Sequence, residues 1–183
     1  NTFKGVDKNK LETKLSLSYS SIDNYYRCSF RYYVENILKL SIYEENFMTF
    51  VGKLYHYILS IMDEEDFDLH YSYKKYIEMS NKDFSEKERF FLDKLEEELE
   101  FVIKTIKEQL TFTKLSETKK ENKITINKNE DLTFVGIVDK IMYEKVLNKT
   151  VIEIIDYKTG NPEINLNNLV YGIGMQLPIY IYL

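Results

Sequence analysis

The chain has 183 residues, a formal net charge of −5, 44% hydrophobic residues and 30% charged residues, which suits a domain with a sizeable core. No apolar run of the ~18–20 residues needed to cross a bilayer is present, so no membrane-spanning helix is expected. One cysteine excludes an intramolecular disulfide.

Residues 1–16 are polar and read as loose chain. Ser20, with Asp23 three residues on, reads as the cap of a first helix carrying Ile22, Tyr25 and Tyr26 and leading into Cys28-Ser29-Phe30-Arg31-Tyr32-Tyr33. A second helix is expected from about Asn46 to Met62, with Phe50, Leu54, Tyr57 and Ile61 at helical spacing. His70 to Met79 reads as a short aromatic helix. Ser85 and Glu88 form an S-x-x-E capping box opening a long helix with Phe91, Leu95, Leu99, Val102 and Ile106 on one face.

Strand patterns follow. Phe112 to Lys119 and Lys123 to Lys128 read as two strands. Leu132 to Tyr143 and Val151 to Lys158 read as a hairpin about a turn near Asn148. A last helix is expected to open at Asn165 or Asn167, and Pro178 fits it without a kink only within a first turn. The expected architecture is therefore α/β, a mixed sheet flanked by helices. We expect a single domain over 1–183, mainly helical over about 18–110, with the chemistry in 111–183. The apolar pattern at Leu183 suggests a fragment of a longer protein, and the composition, with no membrane span or signal peptide in view, suggests a cytoplasmic one.

The chemistry concentrates in the hairpin. Asp156 and Lys158 are two apart and share a strand face, while Tyr157 points to the other. The turn sets Asp139 roughly opposite Asp156 or Lys158. Apolar residues on both faces suggest a central, buried strand, and charges at the end of such a strand are costly unless paired or metal-bound. An ordinary ion pair is the plain explanation of an isolated D-x-K. Two carboxylates and a lysine together also suit a hard divalent cation and a water beside a phosphodiester. His56 has two readings, a packed helical histidine or a ligand. Gln176 and Tyr180, four apart, share one helix face. Cys28 reads on composition as a small apolar residue.

Net negative charge argues against strong unaided nucleic-acid affinity. Much of the acid lies in Asp63-Glu64-Glu65-Asp66 and Glu96-Glu97-Glu98, which read as solvated faces. Lys119, Lys120, Lys123 and Lys128, with Arg27, Arg31, Lys39 and Lys53, read as a modest basic rim.

The blocks Gly52-Lys53-Leu54-Tyr55-His56, Gly136-Ile137-Val138-Asp139, Asp156-Tyr157-Lys158-Thr159-Gly160 and Gln176-Leu177-Pro178-Ile179-Tyr180, in that order, resemble the RecB-like branch of the PD-(D/E)XK nuclease superfamily. The order is most similar to AddB-type helicase–nuclease subunits, and similar also to CRISPR-associated iron–sulfur exonucleases. The resemblance runs from about Ser18 to the C-terminus and includes Ser18-Tyr19-Ser20-Ser21-Ile22 and the Cys28 block. It implies a restriction-endonuclease-like core and cleavage of DNA, single-stranded or with a free end, in recombinational repair beside a helicase partner. It implies Mg²⁺ or Mn²⁺ held by His56, Asp139, Asp156 and the Tyr157 carbonyl, with Lys158 acting on the phosphate or its attacking water. Gln176 and Tyr180 are implied to contact nucleic acid or orient Lys158. An acid ahead of Asp139 completes such sites, with Glu117 and Glu121 as candidates. Cys28 is implied to be one of four [4Fe–4S] ligands in the full-length protein only. The competing expectation is a nuclease-fold module without catalysis, serving binding or assembly in a helicase–nuclease complex.

Overall fold

A computed structural model describes residues 14–40, 45–113, 115, 117–160 and 165–183, leaving aside the side chains of 117 and 119–122. The chain divides into two compact units, each of discontinuous pieces. One comprises 1–43, 122–138 and 162–183, and the other 44–121 and 139–161.

Strand β1 is Leu15–Leu17, a segment expected to be loose. It pairs in parallel with Leu132–Phe134 of a later strand, which satisfies backbone groups that a polar tail would leave to water. Helix α1, Tyr19–Arg27, starts at Ser18 rather than Ser20. The Ser18 hydroxyl accepts from the Ser21 N–H, and the Ser21 hydroxyl is bonded by the Ser18 N–H, a reciprocal box that Ser20 with Asp23 does not make. Cys28 ends α1 and begins the short α2, Ser29–Tyr32, which continues as a π turn over Tyr33–Ile37.

Helix α3, Phe47–Ile61, is capped by Asn46, whose side-chain oxygen accepts from the Thr49 N–H. Helix α4, Leu69–Met79, is capped by Asp68. Helix α5, Glu86–Leu110, opens with the expected Ser85/Glu88 capping box. Phe50, Val51, Leu54, Ile58 and Leu59 of α3, Tyr73 of α4, and Leu92, Leu95, Leu99 and Ile103 of α5 form one buried cluster. The buried stripe of α5 differs from the expected one at Phe91, which is exposed. Tyr73 is fully buried because its hydroxyl has a partner, the Leu92 carbonyl at 2.7 Å.

Strand β2 is continuous over Glu117–Asn127 where two strands are expected. Strand β3, Leu132–Val146, carries Gly136, Val138, Lys140 and Met142 on one buried face. Strand β4 is Lys149–Ile155 and pairs antiparallel with β3, Lys140 opposite Ile155. The strand order is β1-β3-β2, with β4 on a different stretch of β3 from β1. β4 ends at Ile155, so Asp156-Tyr157-Lys158 follows the strand rather than lying in it. Most of β4 is exposed, Val151 and Ile152 by more than half, contrary to the expectation of a buried central strand.

The C-terminal helix divides. Asn165 caps the short α6, Leu166–Leu169, and Gln176 opens a separate helix α7, Gln176–Tyr182. Pro178 falls in the first turn of α7, where its missing N–H costs no helical bond. Tyr180 of α7 packs over Gly136 so closely that a Cβ there would lie 3.2 Å from the ring.

Candidate active site

Five of the expected residues gather in one compact unit: His56, Asp139, Asp156, Tyr157 and Lys158. The β3–β4 register, continued by one step past Lys140 and Ile155, sets Asp139 opposite Asp156. Asp139 holds both partners within reach of one carboxylate. Its Oδ1 is 3.2 Å from His56 Nδ1, and its Oδ2 accepts from the Tyr157 N–H at 2.7 Å. Asp156 Oδ2 lies 2.7 Å from Lys158 Nζ. The two carboxylates are largely buried and the Lys158 side chain is 43% exposed. A carboxylate withdrawn from water holds its bond to an ammonium more strongly than one at the surface.

The charges act together on His56. Its pKa is raised, first by the hydrogen bond to Asp139 and further by the charges of Asp139 and Asp156, against burial and Lys158. Positive charge is thus stabilised at the imidazole.

Tyr157 follows the end of β4, and its side chain belongs to the helical core. Its ring packs on the helical core, and its buried hydroxyl has no hydrogen-bond partner among the described residues. Burial, with Asp63 and Asp139 nearby, pushes its pKa up to about 12.

The donor set, two carboxylates and an imidazole, has the chemistry of a Mg²⁺ or Mn²⁺ site. Among the described residues, however, no three His, Cys, Asp or Glu side chains are gathered into a group that holds a metal ion. Adjacent carboxylates repel, and here each has a partner in the chain, Asp139 the His56 imidazole and Asp156 the Lys158 ammonium. Glu117 and Glu121 lie on β2, their side chains outside the described residues.

Gln176 and Tyr180 belong to the other unit and bond to one another, Gln176 Nε2 donating to the Tyr180 hydroxyl at 3.1 Å. In the same unit Asp23 accepts from the Gly174 N–H at 3.1 Å and from Arg27 at 2.6 Å, anchoring the approach to α7. Cys28 is an exposed thiol. Three members of the expected basic rim are committed to local ion pairs: Arg27 to Asp23, Arg31 to Glu35 and Lys53 to Glu45.

One ion pair with a buried lysine lies outside the sequence expectations. Lys140, 3% exposed, reaches Asp63 Oδ2 at 3.0 Å. The acidic run beginning at Asp63 is therefore not wholly solvated. The available signal was a single lysine at a core-facing position, Val138-x-Lys140-x-Met142.

The family model for the PD-(D/E)XK nuclease superfamily matches residues 16–183. The chain belongs to that superfamily, and its mixed sheet with helices is the restriction-endonuclease-like α/β fold. It is similar to an ATP-dependent helicase/deoxyribonuclease subunit of Clostridium perfringens strain SM101, 27% identical over 207 residues, covering 93% of this chain and 17% of that protein. The same subunit of Clostridioides difficile strain 630 is 26% identical over 199 residues, covering 91% of this chain and 17% of that protein. A shorter match, 36% over 59 residues, covers 32% of this chain and 5% of the Thermoanaerobacter sp. strain X514 subunit. The chain thus spans about a sixth of the two relatives that it matches over most of its own length. No described helix is long and apolar enough to cross a membrane.

Proposed function

We propose that this chain is the nuclease part of a helicase–deoxyribonuclease subunit, hydrolysing DNA phosphodiesters at single strands or free ends during recombinational repair in the cytoplasm. The observation that carries the reading is the bond from the Tyr157 N–H to Asp139, just past the hairpin's last pair, with His56 on Asp139 and Lys158 on Asp156. The family and the names of the relatives support it.

Asp139, Asp156, His56 and the Tyr157 carbonyl would hold Mg²⁺ or Mn²⁺. When bound, the ion supplies Lewis-acid polarisation of the phosphate and a lowered pKa for bound water. The residues themselves do the positioning. Tyr157 N–H fixes the rotamer of Asp139, which presents Oδ1 to His56. Lys158, partly exposed, is free to turn its ammonium from Asp156 to a phosphate oxygen and stabilise charge that develops there. It is not a ligand, since an ammonium has no lone pair to give. In this reading Gln176 and Tyr180 contact the nucleic acid or orient Lys158.

A [4Fe–4S] cluster takes four cysteinates, and this sequence has one cysteine, so the chain does not hold a cluster by itself. The proposal for Cys28 is one ligand among residues outside this sequence, supported by its exposure.

The second reading is a nuclease-fold module without catalysis. It is favoured by the absence of a three-ligand group among the described residues. Incubation of the chain, and of the longer subunit, with end-labelled single-stranded DNA and Mg²⁺ or Mn²⁺ separates the two. Metal-dependent cleavage supports the enzyme; DNA binding without cleavage in either supports the module.

A further inference from the structure

Lys140 places a full positive charge on the core-facing side of β3, between Val138, 0% exposed, and Met142, 4% exposed, on the same face. A long apolar residue would satisfy that position without a partner. An ammonium requires one, and among the described residues Asp63 Oδ2 supplies it at 3.0 Å. Asp63 comes directly after Met62, the cap that ends α3. Two turns upstream on α3 is His56, which meets Asp139, the strand residue next to Lys140.

Helix α3 and strand β3 are thus joined twice, through adjacent strand residues on opposite faces. Both joints are polar, and so directional. Hydrophobic packing alone tolerates sliding and rotation, whereas a buried ammonium held by a part-exposed carboxylate fixes a defined geometry. We propose that Lys140 and Asp63 form a positioning pair, setting α3 against β3 so that the His56 imidazole meets the Asp139 carboxylate. The role of that contact in nucleic-acid cleavage rests on the proposed function; its dependence on the pair does not.

The test reads the contact itself, with no DNA or metal present. The chain is labelled at its two histidines, and ring signals of His56 and His70 are followed by NMR at one fixed pH in Lys140→Met, Asp63→Asn, Lys140→Arg and Asp139→Asn. Asp139→Asn supplies the signal of a disrupted contact, and His70 is the internal control. The expected result is that Lys140→Met and Asp63→Asn move the His56 signals toward those of Asp139→Asn, leave His70 in place, and that Lys140→Arg restores the parent position. Unchanged His56 signals in a folded Lys140→Met or Asp63→Asn chain would overturn the proposal. If Lys140→Met does not fold, Asp63→Asn decides; if neither folds, the pair serves stability alone and the proposal fails. Loss of nuclease activity is not read, so an inactive parent would refute the proposed function and leave this inference standing.

Discussion

The Tyr157 N–H donates to Asp139 Oδ2 at 2.7 Å, beyond the last paired residues of the β3–β4 hairpin. That bond extends the ladder by a side chain where the strand has ended. It ties the D-Y-K segment to the acid on the neighbouring strand. With His56 on the other oxygen, both acceptors of Asp139 are used.

Substituting Asp139 therefore has two separable effects. Asp139→Ala leaves a part-buried N–H and an imidazole without their acceptor, and urea unfolding should show a loss of ~1–3 kcal/mol. Asp139→Asn keeps an acceptor oxygen and should cost less. Calorimetric titration with Mn²⁺ should show binding by the parent that Asp139→Asn abolishes. Equal binding by both would remove Asp139 from the metal site.

Gly136→Ala should destabilise the unit containing α7. A Cβ would stand 2.6 Å from Leu183 Cδ1 and 3.2 Å from Tyr180 Cε1. The leucine methyl can swing aside; the buried tyrosine ring has less freedom. A cost of about 1–3 kcal/mol is expected, rising for Gly136→Val, with altered near-ultraviolet tyrosine dichroism. An unchanged midpoint in urea for both variants would refute the close packing.

Tyr157→Phe should be neutral or stabilising. It removes a buried hydroxyl that has no partner among the described residues, whose burial costs roughly 1–3 kcal/mol. Alkaline stability gives the matching signature. The phenol has an ordinary pKa of 10.0 and is pushed up to about 12 in the fold, so the folded state favours the neutral form. Its contribution is complete below pH 10 and is lost as pH rises toward 12, a span worth on the order of 2–3 kcal/mol. Thermal melts between pH 9 and 12 should fall less steeply for Tyr157→Phe than for the parent. Parallel curves would show that the phenol is not held neutral.

Asp23 predicts the acid side. Burial acts to raise its pKa, but the hydrogen bonds from Arg27 and the Gly174 N–H outweigh it and the net direction is down. A depressed carboxylate adds stability above its ordinary pKa of 3.8, and that contribution disappears as pH falls through the folded value. Asp23→Asn should flatten the loss of stability below about pH 4. Identical acid profiles would contradict this.

Much of the site was legible because it follows local rules. Alternation and a turn near Asn148 set Asp139 roughly opposite Asp156 or Lys158, and the observed pairing, ending at Lys140 opposite Ile155, brings the two segments side by side. The Ser85–Glu88 box marked α5 because its bonds lie within four residues. What was illegible depends on distant partners. β1 exists through pairing with Leu132–Phe134, more than a hundred residues on. Asp63 looked like a surface acid because its partner Lys140 is 77 residues away. Gln176 and Tyr180 were expected to share a face, and they do. The break between α6 and α7 depends on Gly172 and Gly174 at φ 76 and 73, a backbone device that helical spacing does not reveal.

Lys158→Ala in the proposed longer subunit, assayed with the proposed helicase partner, Mg²⁺ and labelled single-stranded DNA, tests the proposed chemistry most directly. Lys158 is partly exposed beside Asp156, and removing one preorganised charge of this kind costs roughly 10²–10³ in rate. The expected result is that loss, with Mn²⁺ and DNA binding retained. Cleavage within a few-fold of the parent would contradict it and reduce the Asp156–Lys158 contact to a structural ion pair.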